Sequence, residues 1–453
     1  MDSLIQKYNV PGPRYTSYPT VPYWELDDFS GRRYKETVKQ AFEVSNSKEG
    51  ISIYIHLPFC EQMCTFCGCH KRITKRHEVE EPYIRSLLKE WKLYTDLFGA
   101  RPRIKELHLG GGTPTFFSSA NLEVLIRGIL RRAKLYPGFE FSFEGHPNNT
   151  TKEHLQKLFD LGFRRVSFGV QDYSVKIQKA INRLQPFYRV KRVTKWAREI
   201  GYTSVGHDLI FGLPHQTLGD IERTISITRN LRPDTIAFYS YAHVPWLKGN
   251  GQRGFLDNDL PSADDKRRLY ERGSELLRAM GYEEIGMDHF ALKSDALYKA
   301  MEAGSIHRNF MGYTASKTHL LVGLGASSIS DSWYGFAQNV KGIEEYEHLV
   351  STGILPIYRG HILNTEDQVI RRHILNLMCR FRTTWDEREL QFSGLDDVLN
   401  KLVEMQADGL VEILPMELKV TEKGKPFIRN ICMAFDLRLH RKAPETQLFS
   451  MTI

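Results

Sequence analysis

The sequence predicts an α/β fold: an incomplete barrel of six βα units, open on one side, with an arm before it and a small, mostly helical domain after it. Three observations carry this expectation. From about residue 51, strand-like runs alternate with amphipathic helical patterns, the signature of a parallel sheet. Several strand ends carry Gly or Pro, at 110–112, Pro147, Gly212, Pro214 and Pro245, where βα folds place their chemistry. From about residue 362 the alternation stops and helical patterns dominate.

Residues 1–50 precede the first strand. Pro13 and Pro19 preclude a continuous helix there, so the segment is expected to be an extended arm across the barrel. Strands are expected over 51–57, 103–109, 140–144, 164–170, 203–211 and 235–241. Helices are expected over 80–98, 120–134, 152–161 and 218–231. Leu122, Leu125, Ile126 and Ile129 recur on one helical face, as do Leu155, Leu158 and Phe159. A helical run over 264–280 and a further strand and turn over 320–330 extend the barrel domain to residue 361. Residues 362–453 read as helices over 366–380 and 395–408, a hairpin over 410–414 and 417–421, and a last helix over 423–435. That order suggests a winged-helix-like domain acting as a lid.

The chain has 453 residues, a 41% apolar share and an 11% aromatic share, enough for a sizeable core. Its start lacks an apolar signal core and no 18-residue apolar run occurs. Clustered cysteines without a secretory signal indicate a reducing compartment, so a cytoplasmic protein without membrane insertion is expected. The net charge of +8 suits nucleic acid, an anionic membrane or a small polyanionic substrate. Lys71, Arg72, Lys75 and Arg76 either line a site mouth or form a solvated face.

Four of the six cysteines fall within ten residues, as Cys60, Cys64, Cys67 and Cys69. A zinc site usually pairs two short Cys/His motifs across a longer insert, and a ferredoxin run uses other intervals. The C-x3-C-x2-C spacing on one tight loop suits three irons of a cubane, with the fourth open to a substrate or cofactor. A zinc loop or buried free thiols are the alternatives. Phe66, inside the run, would shield such a cluster. The glycine-rich strand end over 110–115 allows close approach of a ligand to the backbone. Glu144 ends the third strand and reads as a ligand for a cationic or hydroxyl group, or as half of a salt bridge. Gln171 and Asp172 end the fourth strand. Asp208 sits inside an apolar strand and needs a partner or a ligand; an Arg183–Asp208 ion pair is one solution. Tyr54 and His56 share one face of the first strand and are the candidate catalytic pair, with a packed core histidine as the alternative. In the stretch 307–313, Arg308 is placed to clamp a carboxylate.

The cysteine run and the preceding Tyr54-Ile-His-Leu-Pro-Phe-Cys60 resemble the radical S-adenosylmethionine (SAM) enzymes. The whole chain resembles the oxygen-independent coproporphyrinogen III oxidases of haem biosynthesis. That resemblance runs through 12–19, 54–69, 110–115, 169–172, 208–214, 241–243, 286–290, 307–313 and 429–436. It implies a TIM-like radical SAM barrel, a [4Fe-4S] cluster on Cys60, Cys64 and Cys67, and two SAM molecules. It implies that Tyr54, Gly111, Glu144 and Ile329 contact the cluster-bound SAM. Phe66, Gly112, Thr113, Gln171, Arg183, Asp208 and Ala242 would contact the second. Cys69 is implied to be no ligand, since a fourth thiolate would block the open iron. The implied reaction is anaerobic conversion of two propionates of coproporphyrinogen III to vinyl groups. A 5′-deoxyadenosyl radical starts it, with loss of CO2 and an electron, and the product is protoporphyrinogen IX. A monomer served by a low-potential electron donor is expected, with no nucleic-acid partner. His146 and Met311 depart from the usual family pattern without removing a required group. Two rivals stand beside this reading: a haem-delivery branch, which generally lacks the arm and fourth cysteine present here, and a nucleic-acid-modifying enzyme, for which no RNA-binding module is present.

Overall fold

The computed structural model describes residues 2–452 apart from 26, 28, 247–250 and 253. Helix α1 (Asp2–Tyr8) starts the chain and α2 (Gly31–Ser45) precedes the first strand. The extended path expected for all of residues 1–50 is therefore corrected. Residues 31–45 contain no proline, Ser30 Oγ caps their first turn by accepting from the Arg33 amide, and Tyr34, Val38, Ala41 and Phe42 form one buried face. That face joins the main core, which repays the cost of ordering the helix. The described residues of the proline-bearing segment between α1 and α2 are largely irregular.

The six expected strands form as β1 (Ile51–Leu57), β2 (Arg103–Gly111), β3 (Lys134–Gly145), β4 (Phe163–Gln171), β5 (Ser204–Phe211) and β6 (Thr235–Ser240). Between them run α3 (Glu80–Phe98), α4 (Ser119–Arg131), α5 (Lys152–Asp160), α6 (Val175–Ala180), α7 (Phe187–Ile200) and α8 (Leu218–Leu231). Helix α9 (Ala263–Ala279), strands β7 (Tyr282–Gly286) and β8 (His289–Leu292), and α10 (Ala296–Glu302) follow. A hairpin of β9 (His307–Asn309) and β10 (Gly312–Thr314) comes next. Then come β11 (Leu321–Leu324), β12 (Ile329–Asp331), β13 (Gly335–Asn339), α11 (Ile343–Ser351) and β14 (Ile357–Ile362).

One twelve-stranded sheet has the order β14-β13-β12-β11-β1-β2-β3-β4-β5-β6-β8-β7. Neighbours from β11 to β6 are parallel, and both flanks are antiparallel. The barrel is thus wider than six units: β11, buried along its whole length, adds a parallel strand on the free edge of β1.

The strands alternate in an inverted sense. Leu107, Leu109, Phe141, Phe143, Val166 and Phe168 belong to the apolar core shared with the helices. Their alternate neighbours Glu106, His108, Ser142, Glu144, Arg165 and Ser167 line a cavity on the inner face. With period-2 side chains, the inner face of the barrel is polar and the outer face is the core.

The last domain comprises α12 (Thr365–Arg380), β15 (Arg382–Thr384), α13 (Leu395–Ala407), β16 (Val411–Leu414), β17 (Glu417–Val420), α14 (Ile428–Phe435) and α15 (Leu437–Arg441). The helix expected from 423 starts regularly only at Ile428, because the preceding Lys425–Phe427 turn carries Pro426. Ile370, Leu377, Val398, Leu402, Ile431 and Phe435 build its own core, which takes in Tyr15 and Tyr18 from the arm.

Buried Glu90 of α3 ties three elements together. Its carboxyl oxygens accept from the Gly325 amide (2.8 Å), Asn339 Nδ2 (2.6 Å) and the Tyr346 hydroxyl (2.7 Å). Glu90→Ala takes the acceptor from three buried donors. It is expected to lower stability by about 1–3 kcal/mol in urea unfolding; an unchanged midpoint would contradict this role.

Candidate active site

Cys60, Cys64, Cys67 and Cys69 line one cavity with Phe66, Gly111, Gly112, Thr113, Glu144, Gln171, Arg183 and Asp208. The cavity lies at the carboxyl ends of β1–β5, where the loops of a parallel barrel leave chemistry. The cysteine loop is held from several sides. Thr65 donates its amide to the Ile181 carbonyl (3.0 Å) and its hydroxyl to the Ala180 carbonyl (3.0 Å), and Lys71 Nζ donates to the Cys67 and Cys69 carbonyls (3.1 and 3.2 Å). Cys60 Sγ lies 3.3 Å from the Thr113 hydroxyl, and Arg183 Nη1 lies 3.6 Å from Cys64 Sγ. A hydrogen bond from Cys69, and then Lys71, push the Cys67 thiol down to about 6, whereas burial pushes Cys60 up to about 11. Cys69 is the exposed member of the four.

The glycines act through packing. A Cβ on Gly111, whose φ is +115°, would sit 2.8 Å from His56 Nδ1, and one on Gly112 would sit 2.7 Å from the Pro58 backbone. The Gly112 amide donates to the Leu57 carbonyl (2.9 Å), while Gly111 and Gly112 both stay on the cavity wall. These glycines bring the end of β2 flat against the start of the cysteine loop.

Glu144 and Asp208 line both the cysteine cavity and the polar barrel cavity behind it. Asp208 accepts from the Ser167 hydroxyl (2.7 Å), and burial pushes its carboxyl up to about 6. Arg183 donates to the Gly169 carbonyl (2.7 Å), while its buried Nε has no hydrogen-bond partner among the described residues. The Arg183–Asp208 ion pair is therefore not formed. Glu144 is about half exposed and lies 3.5 Å from His108 Nε2.

Tyr54, His56, Ala242 and Ile329 are not on this cavity wall. The Tyr54 hydroxyl meets His56 Nδ1 at 3.0 Å, and His56 Nε2 meets the His70 carbonyl at 3.0 Å. Burial drives His56 down to about 4, so the ring is neutral, donates from Nε2, and ties β1 to the chain just past the cysteines. The Ala242 carbonyl accepts from Gln252 Nε2 (2.9 Å), which also reaches the Phe66 carbonyl (3.1 Å). Ile329 packs near Trp24, Phe336 and Leu363. Asp172 is structural, accepting from the Ser174 amide (2.6 Å) and Gln216 Nε2 (2.8 Å). Arg308 donates from Nη1 to the Arg14 and Tyr15 carbonyls (3.0 and 2.7 Å) and holds the arm, while its buried Nε has no hydrogen-bond partner among the described residues.

The model of the radical SAM superfamily matches residues 54–227. The curated oxygen-independent coproporphyrinogen III oxidase of Escherichia coli K12 is 37% identical over 458 residues, covering 100% of this chain and 98% of the relative. The Helicobacter pylori (strain 26695) protein of the same name is 37% identical over 447 residues, covering 96% of each. The chain belongs to the oxygen-independent coproporphyrinogen III oxidase family. A solved structure, described as coproporphyrinogen III oxidase from Escherichia coli and as a radical SAM enzyme, superposes with a TM-score of 0.88. It is 34% identical and the match covers 96% of this chain and 98% of that one.

As a member of this family, the chain shows inner-face residues that the motif reading passed over: His108, Ser142, Ser167, Tyr239 and His289, all lining the barrel cavity. Their signal was available, since polar residues alternate with Leu and Phe along the strands over 106–109 and 140–144.

Two expectations follow from this geometry. Cys64→Ser loses most bound iron after anaerobic reconstitution, whereas Cys69→Ser retains it; iron retention by the first variant would contradict the three-cysteine set. Asp208, raised from the usual carboxylate range to about 6, opposes folding increasingly as pH climbs from about 4 through 6, because the unfolded chain ionises first. Asp208→Asn is therefore expected to raise the urea midpoint at pH 7.5, with the gain fading toward pH 4. A gain independent of pH would contradict the burial of this carboxyl.

Proposed function

We propose that the protein carries out anaerobic oxidative decarboxylation of two propionate side chains of coproporphyrinogen III, giving the vinyl groups of protoporphyrinogen IX in haem biosynthesis. One observation carries this reading at the level of the site: the four cysteines of one loop share a cavity with Glu144 and Asp208, on a chain related to the oxidases over its full length. The orphaned Arg183 Nε and the incompletely paired carboxylates suit a polar, partly cationic ligand such as SAM. Bound there, a [4Fe-4S] cluster and two SAM molecules would supply the radical chemistry that removes hydrogen from a propionate β-carbon.

Cys60, Cys64 and Cys67 hold the cluster, and Cys69 stands aside. Gly111 and Glu144 serve the cluster-bound SAM, together with Tyr54, placed through β1, and Ile329, placed through the β11–β12 turn. Phe66, Gly112, Thr113, Gln171, Arg183, Asp208 and Ala242 serve the second. The Ser167 hydroxyl aims Asp208, the Gly169 carbonyl aims Arg183, and neutral His56 fixes the Tyr54 hydroxyl. Gln252 latches the segment after β6 onto the cysteine loop at Phe66, which limits water entry to the radical chamber. The protein acts as a monomer, and a separate low-potential donor provides the electron. The haem-delivery alternative gains no support from the full-length relatives, which carry the oxidase name.

The test is an anaerobic assay of the iron-reconstituted protein with coproporphyrinogen III, SAM and a reductant. Protoporphyrin fluorescence after oxidation, with release of CO2 and 5′-deoxyadenosine, is expected. SAM cleavage without vinyl product, alongside tight haem binding, would overturn the reading in favour of haem delivery.

A further inference from the structure

A second cavity lies where the arm, the end of β6, α9 and the C-terminal domain meet. Arg14, Lys266, Asp288 and Arg429 are among its lining residues. Other charges on its wall are already matched: Glu284 by Arg278 and the Tyr270 hydroxyl, Arg267 by Glu271, and Lys425 by Glu422. What remains is three cations against one carboxylate. Asp288 sits 3.3 Å from Arg14 Nη1. Arg14 Nη2 turns to the Ser240 carbonyl (3.2 Å) and Lys266 Nζ to the Tyr241 carbonyl (3.0 Å). Arg429, only 5% exposed, donates to the carbonyls of Gly12, Pro13 (3.0 Å), Met451 (2.8 Å) and Ser450 (3.4 Å).

Carbonyl dipoles satisfy hydrogen bonds but do not balance charge, and a partly buried surplus of cations is costly without a counter-anion. Burial, then Arg14 and Arg429, push the Lys266 ammonium down to about 8. Among the described residues that ammonium has a single hydrogen-bond acceptor, which leaves two N–H groups for a ligand. An anion would relieve this surplus.

The cavity lies across one layer of strand from the barrel cavity. Ser240 and Asp288 lie on its wall, while their chain neighbours Tyr239 and His289 line the barrel cavity, 3.3 Å apart through Oη and Nε2. We propose that Arg14, Lys266 and Arg429 form a carboxylate subsite that anchors a propionate of the substrate other than the one reacting. The inference rests on the coproporphyrinogen reading above. It gives the arm and the C-terminal domain a chemical purpose, because two of the three cations come from outside the barrel and converge only when both are docked.

The test uses the reconstituted holoenzyme and the variants Lys266→Gln, Arg14→Gln and Lys266→Arg. Loss of one charge-assisted contact is expected to raise the KM for coproporphyrinogen III by about tenfold or more, with the KM for SAM unchanged and Lys266→Arg restoring most of the loss. Fluorescence titration should show weaker binding of coproporphyrin III to both Gln variants and no change for its tetramethyl ester. Arg14 is on the more exposed wall, with 29% of its side chain accessible, and serves if Lys266→Gln fails to fold. Unchanged KM in folded variants, or equal weakening of acid and ester, overturns the subsite. A wild-type enzyme that turns over no coproporphyrinogen III overturns the parent reading instead.

Discussion

Inverted alternation along the barrel strands is the constraint on which the rest of the structure depends. Phe141 and Phe143, with Leu107, Leu109, Val166 and Phe168, face the helices and form the core. That arrangement commits Glu106, His108, Ser142, Glu144 and Ser167 to the inner face. A register slip by one residue would exchange the two sets, so the packing that stabilises the barrel also fixes where its polar groups stand. Asp208 shows the cost: burial raises its carboxyl, and one serine hydroxyl only partly compensates. Natural proteins keep such unfavourable placements where a ligand completes them.

The arm and the C-terminal domain depend on that chamber through a small set of arginines. Arg308 grips the arm from the barrel side and Arg429 from the domain side, both through main-chain carbonyls. The Tyr15 hydroxyl closes the same seam on Asp436 at 3.1 Å. Backbone acceptors make these grips tolerant of the arm's side chains. The arm therefore works as a strap joining barrel to domain, and its own Arg14 remains available to face the cavity beneath.

Much of this was legible in the sequence because it is periodic. Four-residue helical spacing and strand-ending glycines placed the barrel strands to within a few residues at most ends, and the cysteine spacing located the site. What was missed is non-local. The prolines near residue 13 said nothing about residues 31–45, where a capped amphipathic helix forms against the sheet. The hold of Arg308 on the arm was invisible because its partners are carbonyls 293 and 294 residues away. The glycines after β2 line the cysteine cavity, but their close packing against His56 and Pro58 on the neighbouring strand end has no local signal. Asp172 read with Gln171 as one polar strand end, yet the backbone turns there, with Gln171 at φ +68°, sending one side chain to the cavity and the other to Gln216.

The central claim is that three thiolates leave one iron open beside Glu144 and Asp208. Electron paramagnetic resonance of the reduced, reconstituted protein tests it most directly. Addition of SAM should shift the signal of the reduced cluster, as expected when a ligand joins the open iron. A [4Fe-4S] signal that SAM leaves unchanged would contradict the account.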